Sequence, residues 1–231
     1  MATGDFTHPN GVAIRVVIAA IAGKDHDVSR YRDVQAFADR ALGYQDGLLG
    51  RMHRDIVVRT IDLALSLGPP PRRVLDVGCG TGELLRELST RLPEARELTG
   101  VDAAAAMIEA ASAGGEAERL RYLHGRAERL PFDNASFDLV ISTTSFDHWA
   151  DQGAGLVECR RVLVPGGRLV LTDLFSLALL PTLIGARSDR ARTQLRATKL
   201  LAAAGFRSVV WHRLYADVWL SGIFRAVTAS A

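Results

Sequence analysis

Val74-Leu75-Asp76-Val77-Gly78-Cys79-Gly80-Thr81-Gly82-Glu83-Leu84 reads as a short apolar strand, a glycine-rich turn and the start of a helix. Glycine admits positive φ and lets the backbone approach a ligand closely, and the helix N-terminus that follows offers free N–H groups. The spacing is Gly-x-Gly-x-Gly, tighter than the Gly-x-Gly-x-x-Gly loop that seats a dinucleotide pyrophosphate. With Asp76 just ahead of it, the tighter loop suits a ligand that presents an ammonium and a carboxylate. Asp102 follows at the end of the next expected strand. It lies roughly the ~20 residues past the loop where an acidic side chain meets ribose hydroxyls in nucleotide-binding α/β domains. Taken alone, it reads equally well as a surface or strand-end capping Asp.

Outward from this stretch the chain alternates. Upstream, residues 31–67 carry Phe37, Leu42, Leu48, Leu49, Ile56, Val57, Ile61, Leu63 and Leu65 at helical spacing, divided at Gly43 and Gly47. Gly68-Pro69-Pro70-Pro71 ends that helical region, because three prolines neither continue a helix nor donate to a sheet. Downstream, strands are expected at 73–77, 97–101, 121–124, 137–142 and 168–173, the last announced by the turn Pro165-Gly166-Gly167. Helices are expected at 83–92, 103–113, 154–163 and 194–204. Strands alternating with helices predict a parallel sheet covered on both faces. Two further strands, 207–214 and 219–228, are joined by a short connection around Tyr215-Ala216-Asp217 and should form an antiparallel hairpin. The expected organisation is an N-terminal segment and helical cap at 1–68, then an α/β domain at 73–231.

Composition excludes other classes. Of 231 residues, 48% are hydrophobic and 23% charged, which is a globular balance and enough chain for a sizeable core. The net charge is +2 with scattered basic residues, so no nucleic-acid groove is advertised. Only Cys79 and Cys159 occur, too few for a disulfide framework and at no metal-ligand spacing, so no metal is expected and a cytoplasmic location fits best. The run from Val12 to Ala22 is broken by Arg15 and preceded by Asp5, unlike a secretory leader. Both apolar runs, 12–22 and 174–184, fall short of the ~20 residues of a membrane span.

The motifs together resemble the class I methyltransferases that use S-adenosylmethionine, specifically small-molecule methyltransferases of bacterial metabolism. Beside the glycine loop, the resemblance rests on Gly100-Val101-Asp102 with Met107, Gly125-Arg126-Ala127-Glu128-Arg129-Leu130-Pro131-Phe132, Asn134-Ala135-Ser136-Phe137-Asp138-Leu139-Val140, and Arg161-Val162-Leu163-Val164-Pro165-Gly166-Gly167-Arg168-Leu169. It covers about two-thirds of the chain, from Arg73 to Thr228. It implies a Rossmann-like seven-stranded sheet of order 3-2-1-4-5-7-6 with strand seven antiparallel. It also implies S-adenosylmethionine as cofactor, leaving S-adenosylhomocysteine as product.

Residue by residue, the resemblance implies Asp76, Gly78 and Gly80 near the methionine moiety, Asp102 on the ribose, and Ala103 and Met107 against adenine. Ala127 and Glu128 would flank the adenine edge, and Ser142 and Thr143 would line the methyl-bearing sulfur. Arg126 departs from the family pattern, which often has Asp there to accept from the adenine amino group. Ala103-Ala104-Ala105 likewise lacks the Ser or Thr cap that often begins the next helix. Methyl transfer needs alignment and exclusion of water more than a strong catalytic constellation.

His148, beyond the fourth strand, reads either as a base that takes a proton from the acceptor or as a histidine packed beside Trp149. Asp173 reads as acceptor-facing or as a strand-end cap. Tyr44 resembles the tyrosine of the family's N-terminal cap over the cofactor, and packing alone also explains it. Cys79 reads as a small residue that fits the loop. The run 174–184 sits where relatives build part of an acceptor pocket; packing beneath the N-terminal helices is the other reading. The expected activity is methyl transfer to oxygen or nitrogen of a small, apolar or aromatic acceptor, with no nucleic-acid or membrane partner and a homodimer left open. The alternative is a protein that binds the cofactor without methyl transfer, as a sensor or a cyclase-like catalyst.

Overall fold

The computed structural model describes residues 48–114, 118–175, 193–215 and 224–231. In chain order the elements are α1 (Leu48–Ser66), β1 (Arg73–Val77), α2 (Glu83–Arg91), β2 (Glu97–Asp102), α3 (Ala105–Ala113), β3 (Leu120–His124) and β4 (Phe137–Thr143). A 3-10 turn (Phe146–His148), α4 (Gln152–Val162), β5 (Leu163–Leu174), α5 (Gln194–Ala203), β6 (Arg207–Arg213) and β7 (Phe224–Ser230) follow. The strands form one seven-stranded sheet of order β3-β2-β1-β4-β5-β7-β6. β7 runs antiparallel to β5 and β6, and the remaining pairs are parallel, so the alternation and the terminal hairpin both appear as expected.

The central strands are buried on both faces. Along β4, Leu139 and Ile141 pack with Val57 and Ile61 of α1 and Leu84, Leu85 and Leu88 of α2. Phe137 and Val140 pack with Leu156, Cys159 and Val162 of α4 and Ala197 and Leu201 of α5. Two covered faces explain why this strand reads as an almost unbroken apolar run instead of an alternating one. Ile56, Val57, Ile61 and Ala64 of α1 are buried. Inside that stripe, Thr60 Oγ1 lies 2.8 Å from the Ile56 carbonyl and 3.0 Å from Thr172 Oγ1, donating to the first and accepting from the second. α1 is thereby held against β5, with its N-terminal half carried to the carboxyl edge of the sheet.

Several boundaries differ from expectation, for local reasons. α3 begins at Ala105, not at residue 103, because Asp102 Oδ1 accepts from the Ala104 N–H at 2.9 Å while Ala104 remains extended. α4 begins at Gln152 because Asp151 caps it, accepting from the Ala154 N–H at 3.0 Å. β5 begins at Leu163, paired with Phe137, and a register shift between Phe137 and Leu139 absorbs the Pro-Gly-Gly stretch. β7 begins at Phe224, and the earlier part of the expected last strand lies outside the described residues, as do Tyr44 and most of the run 174–184. Among the described residues no helix is long and apolar enough to cross a membrane.

Candidate active site

β1 pairs with β2 on one side and β4 on the other, so the strand order reverses at its carboxyl end. Ligands of open α/β sheets bind at such a switch point. Here it opens into a cavity of about 440 Å³, a size suited to a small molecule or cofactor. The glycine loop forms one wall and is folded back onto β2: the Gly78 and Cys79 N–H groups both donate to the Val101 carbonyl, at 2.8 and 3.1 Å. Gly78 has φ +79°, and a Cβ there would lie 2.2 Å from Ser145 Oγ, so only glycine lets the loop pass the end of β4. The buried Cys79 thiol, pushed well above its ordinary pKa by burial, is an inert packing group.

Two carboxyls face this wall. Asp102 Oδ2 accepts from the Gly80 N–H and Oδ1 from the Ala104 N–H, both at 2.9 Å, so its carboxylate sets the loop geometry. Burial raises its pKa, and those backbone donors oppose the rise. Asp76, only 2% exposed, is pushed up to about 8, first by burial and then by the Asp102 charge. The described residues offer its carboxyl no hydrogen-bond donor. A buried carboxyl without a donor is unfavourable, and a ligand ammonium relieves it.

The opposite end of the cavity is built differently. Thr143 Oγ1 is buried with no hydrogen-bond partner among the described residues. Thr144 has φ +54°, an unfavourable conformation for a β-branched residue, held by its N–H donating to the Thr172 carbonyl at 2.8 Å. Ser145 Oγ then joins three elements. It donates to the Val77 carbonyl at 2.8 Å, and accepts from Ser142 Oγ at 2.7 Å and from Trp149 Nε1 at 3.3 Å. The His148 N–H closes the 3-10 turn on the Ser145 carbonyl at 2.9 Å, and its side chain lines the cavity beside Trp149. Behind the turn, Asp173 Oδ2 accepts from the Asp147 N–H at 3.1 Å and Oδ1 from the Leu174 N–H at 2.7 Å. Burial, and then the neighbouring Asp147, raise the Asp173 pKa to about 6.

Of the residues singled out from sequence, Asp76, Gly78, Gly80, Asp102, Ala103, Met107, Arg126, Ala127, Glu128, Thr143 and His148 line this one cavity. Ser142 and Asp173 do not: Ser142 is fully buried beneath Ser145, and Asp173 is a strand-end cap that anchors the turn carrying His148. The sequence reading missed His53, Thr144, Ser145 and Glu83, all of which line the cavity. His53 projects from α1 with Gly50 and Val57, at the i, i+3, i+7 spacing of one helix face, a signal that was present in the sequence.

The sheet order is the Rossmann-like one expected from the sequence, with strand seven antiparallel. Residues 75–171 match the family model described as "Methyltransferase domain", and over this stretch the chain is similar to curated methyltransferases. It is 45% identical over 112 residues to a demethylmenaquinone methyltransferase of Deinococcus radiodurans, covering 48% of this chain and 46% of that protein. It is 35% identical over 152 residues to a malonyl-[acyl-carrier protein] O-methyltransferase of Hahella chejuensis, covering 66% and 53%. The chain thus spans about half the length of the curated relatives it matches. In fold it is similar to a chain of the complex between the Haloferax volcanii Trm112 methyltransferase activator and a methyltransferase. The TM-score there is 0.68 at 21% identity, over 84% of this chain and 97% of that one.

Proposed function

We propose that this chain transfers a methyl group from S-adenosylmethionine to oxygen or nitrogen of a small acceptor with an apolar or aromatic body. The observation that carries this reading is the cavity in which the Asp76 carboxyl, offered no donor by the described residues, and the loop-organising carboxylate of Asp102 meet the glycine loop. Asp76 receives the ammonium, Gly78 and Gly80 let the backbone close on the methionine end, and Asp102 accepts from the ribose hydroxyls with its remaining lone pairs. Ala103 and Met107 pack on one side of the adenine, and Arg126, Ala127 and Glu128 run along its edge. The cofactor supplies the reaction with a methyl group activated on a sulfonium.

The acceptor lies at the Thr144–His148 end of the cavity, whose lining includes the apolar side chains of Trp149 and Val57. Thr143 Oγ1, without a hydrogen-bond partner among the described residues, is a hydrogen-bonding group for whatever occupies the reacting centre. His148 contacts the acceptor and takes its proton as the new bond forms. Asp173 is a positioning residue that holds the turn from behind. Leu48–Ser66 acts as a helical segment against the 73–231 domain, and the protein works in the cytoplasm.

The test is a methyl-transfer assay with labelled cofactor and a panel of phenols, hydroxy acids and amines. One acceptor class should turn over, and His148→Asn should lower kcat by about 100-fold while leaving the cofactor Kd unchanged. Tight cofactor binding with no methylated product from any acceptor would instead favour a sensor or cyclase-like role.

A further inference from the structure

The charges around the cavity leave one half of an amino-acid ligand unaccounted for. At the glycine-loop wall the ionisable side chains lining the cavity are Asp76, Glu83, Asp102 and His53. Three are acids, and the free amino-acid end of the cofactor carries a carboxylate as well as an ammonium. Of the remaining lining residues, Arg126 and Glu128 stand at the far edge beyond β3, and His148 stands on the turn after β4. Arg54, next in sequence to His53, is exposed and does not line the cavity. Among the described side chains that line the cavity, His53 is the one that can place positive charge on this wall.

Its surroundings fit that task. Nδ1 lies 3.5 Å from Thr144 Oγ1, and Nε2 lies 3.9 Å from Glu83 Oε2, so the ring is clasped between the end of β4 and the first residue of α2. Glu83 is the residue after Gly82, so the imidazole faces the loop that receives the methionine end.

Resting on the reading of the cavity as a cofactor site, we propose that His53 is the cationic partner of the cofactor's methionine carboxylate, and that it takes up a proton as the cofactor binds. Without ligand, burial and then the Arg54 charge hold the His53 pKa below its ordinary value, so the ring is neutral near pH 7. A carboxylate brought against it reverses that preference, and Glu83 across the ring supports the imidazolium. Glu83 is itself raised by burial and lowered by Arg54 and Arg86, so both partners of this pair respond to a new charge. Asp76 works in the opposite sense, because an arriving ammonium drives off the proton that it holds in the empty site. The two transfers offset each other in the native protein, and removing either histidine or acid exposes the other.

The experiment is calorimetric titration of the full chain and His53→Asn with S-adenosylhomocysteine and with methylthioadenosine, which lacks the amino-acid end. Repeating it in buffers of different ionisation enthalpy counts the protons exchanged. His53→Asn should weaken S-adenosylhomocysteine binding by roughly ten-fold or more and leave methylthioadenosine binding unchanged. It should also shift the proton count towards release by about half a proton or more. Equal weakening of both ligands would overturn the proposal in favour of a wall-packing role, and an unchanged affinity ratio or proton count would overturn it outright. If the native protein bound neither adenosyl ligand, the cofactor reading itself would fail, which the native titration shows before any variant is compared.

Discussion

The two ends of the cavity are held by different means. At the glycine loop, backbone groups are satisfied from within the loop and from the end of β2: Gly78 and Cys79 bond to the Val101 carbonyl, Gly82 to that of Cys79, and Asp102 ties Gly80 to Ala104. At the other end, Thr144 is held in an unfavourable backbone conformation, Thr143 keeps a buried hydroxyl without a partner among the described residues, and the turn is pinned to β1 through Ser145 and to β5 through Asp173. The first end is a preorganised receptor for a constant ligand. The second stores strain and open hydrogen-bonding capacity, which on the proposed reading faces an acceptor that differs from one enzyme to another.

The sharpest way to break this contrast is Asp102→Ala. It orphans two backbone N–H groups and, on the proposed reading, also removes contacts to the ribose, so S-adenosylhomocysteine affinity should fall by roughly 1000-fold in calorimetry. If affinity held, the loop would not depend on that carboxylate.

Asp76 gives the next largest effect. Its folded pKa of about 8 lies above the ordinary 3.8, so the folded protein keeps a proton there that the unfolded chain has lost. Stability from this source is fully present below about pH 4 and declines as pH rises through about 8. Asp76→Asn should therefore stabilise the empty protein by about 3 kcal/mol more at about pH 8 than at about pH 5, read from denaturant melts.

A paired glycine experiment follows. Gly78→Ala meets Ser145 and should destabilise by about 3 kcal/mol, whereas Gly80→Ala, at φ +52° with open space around its Cβ, should lose only about 1 kcal/mol. Equal losses would mean that the loop does not pack against Ser145. Smallest is Thr144→Gly, which relieves the left-handed backbone and should raise stability by up to about 1 kcal/mol while slowing turnover. A less stable variant would show that the Thr144 side chain contributes more than its backbone costs.

The same contrast decides what the sequence disclosed. The glycine loop, Asp102 and the strand periodicity are local patterns, and the sheet order and terminal hairpin agree with them. The Ala103-Ala104 helix start was misplaced because Asp102 caps from outside the helix and uses backbone N–H groups that leave no mark in composition. Ser142 and Thr143 are adjacent and similar, yet strand alternation turns one under Ser145 and the other to the cavity. Asp173, at the end of a strand on the right edge, reads from sequence as either acceptor-facing or a cap, and the Asp147 and Leu174 N–H groups bonded to its oxygens are those of a cap. His53 lies 91 residues from Thr144 and 30 from Glu83, and no spacing rule joins groups that meet only after the helix docks on the sheet.

The most direct test of the account is a crystal structure of the protein with S-adenosylhomocysteine. The account expects the ribose on Asp102, the ammonium at Asp76 and the sulfur at Thr143, with the Thr144–His148 end left open for the acceptor. A ligand seated outside the cavity, or one whose ribose does not touch Asp102, would contradict it.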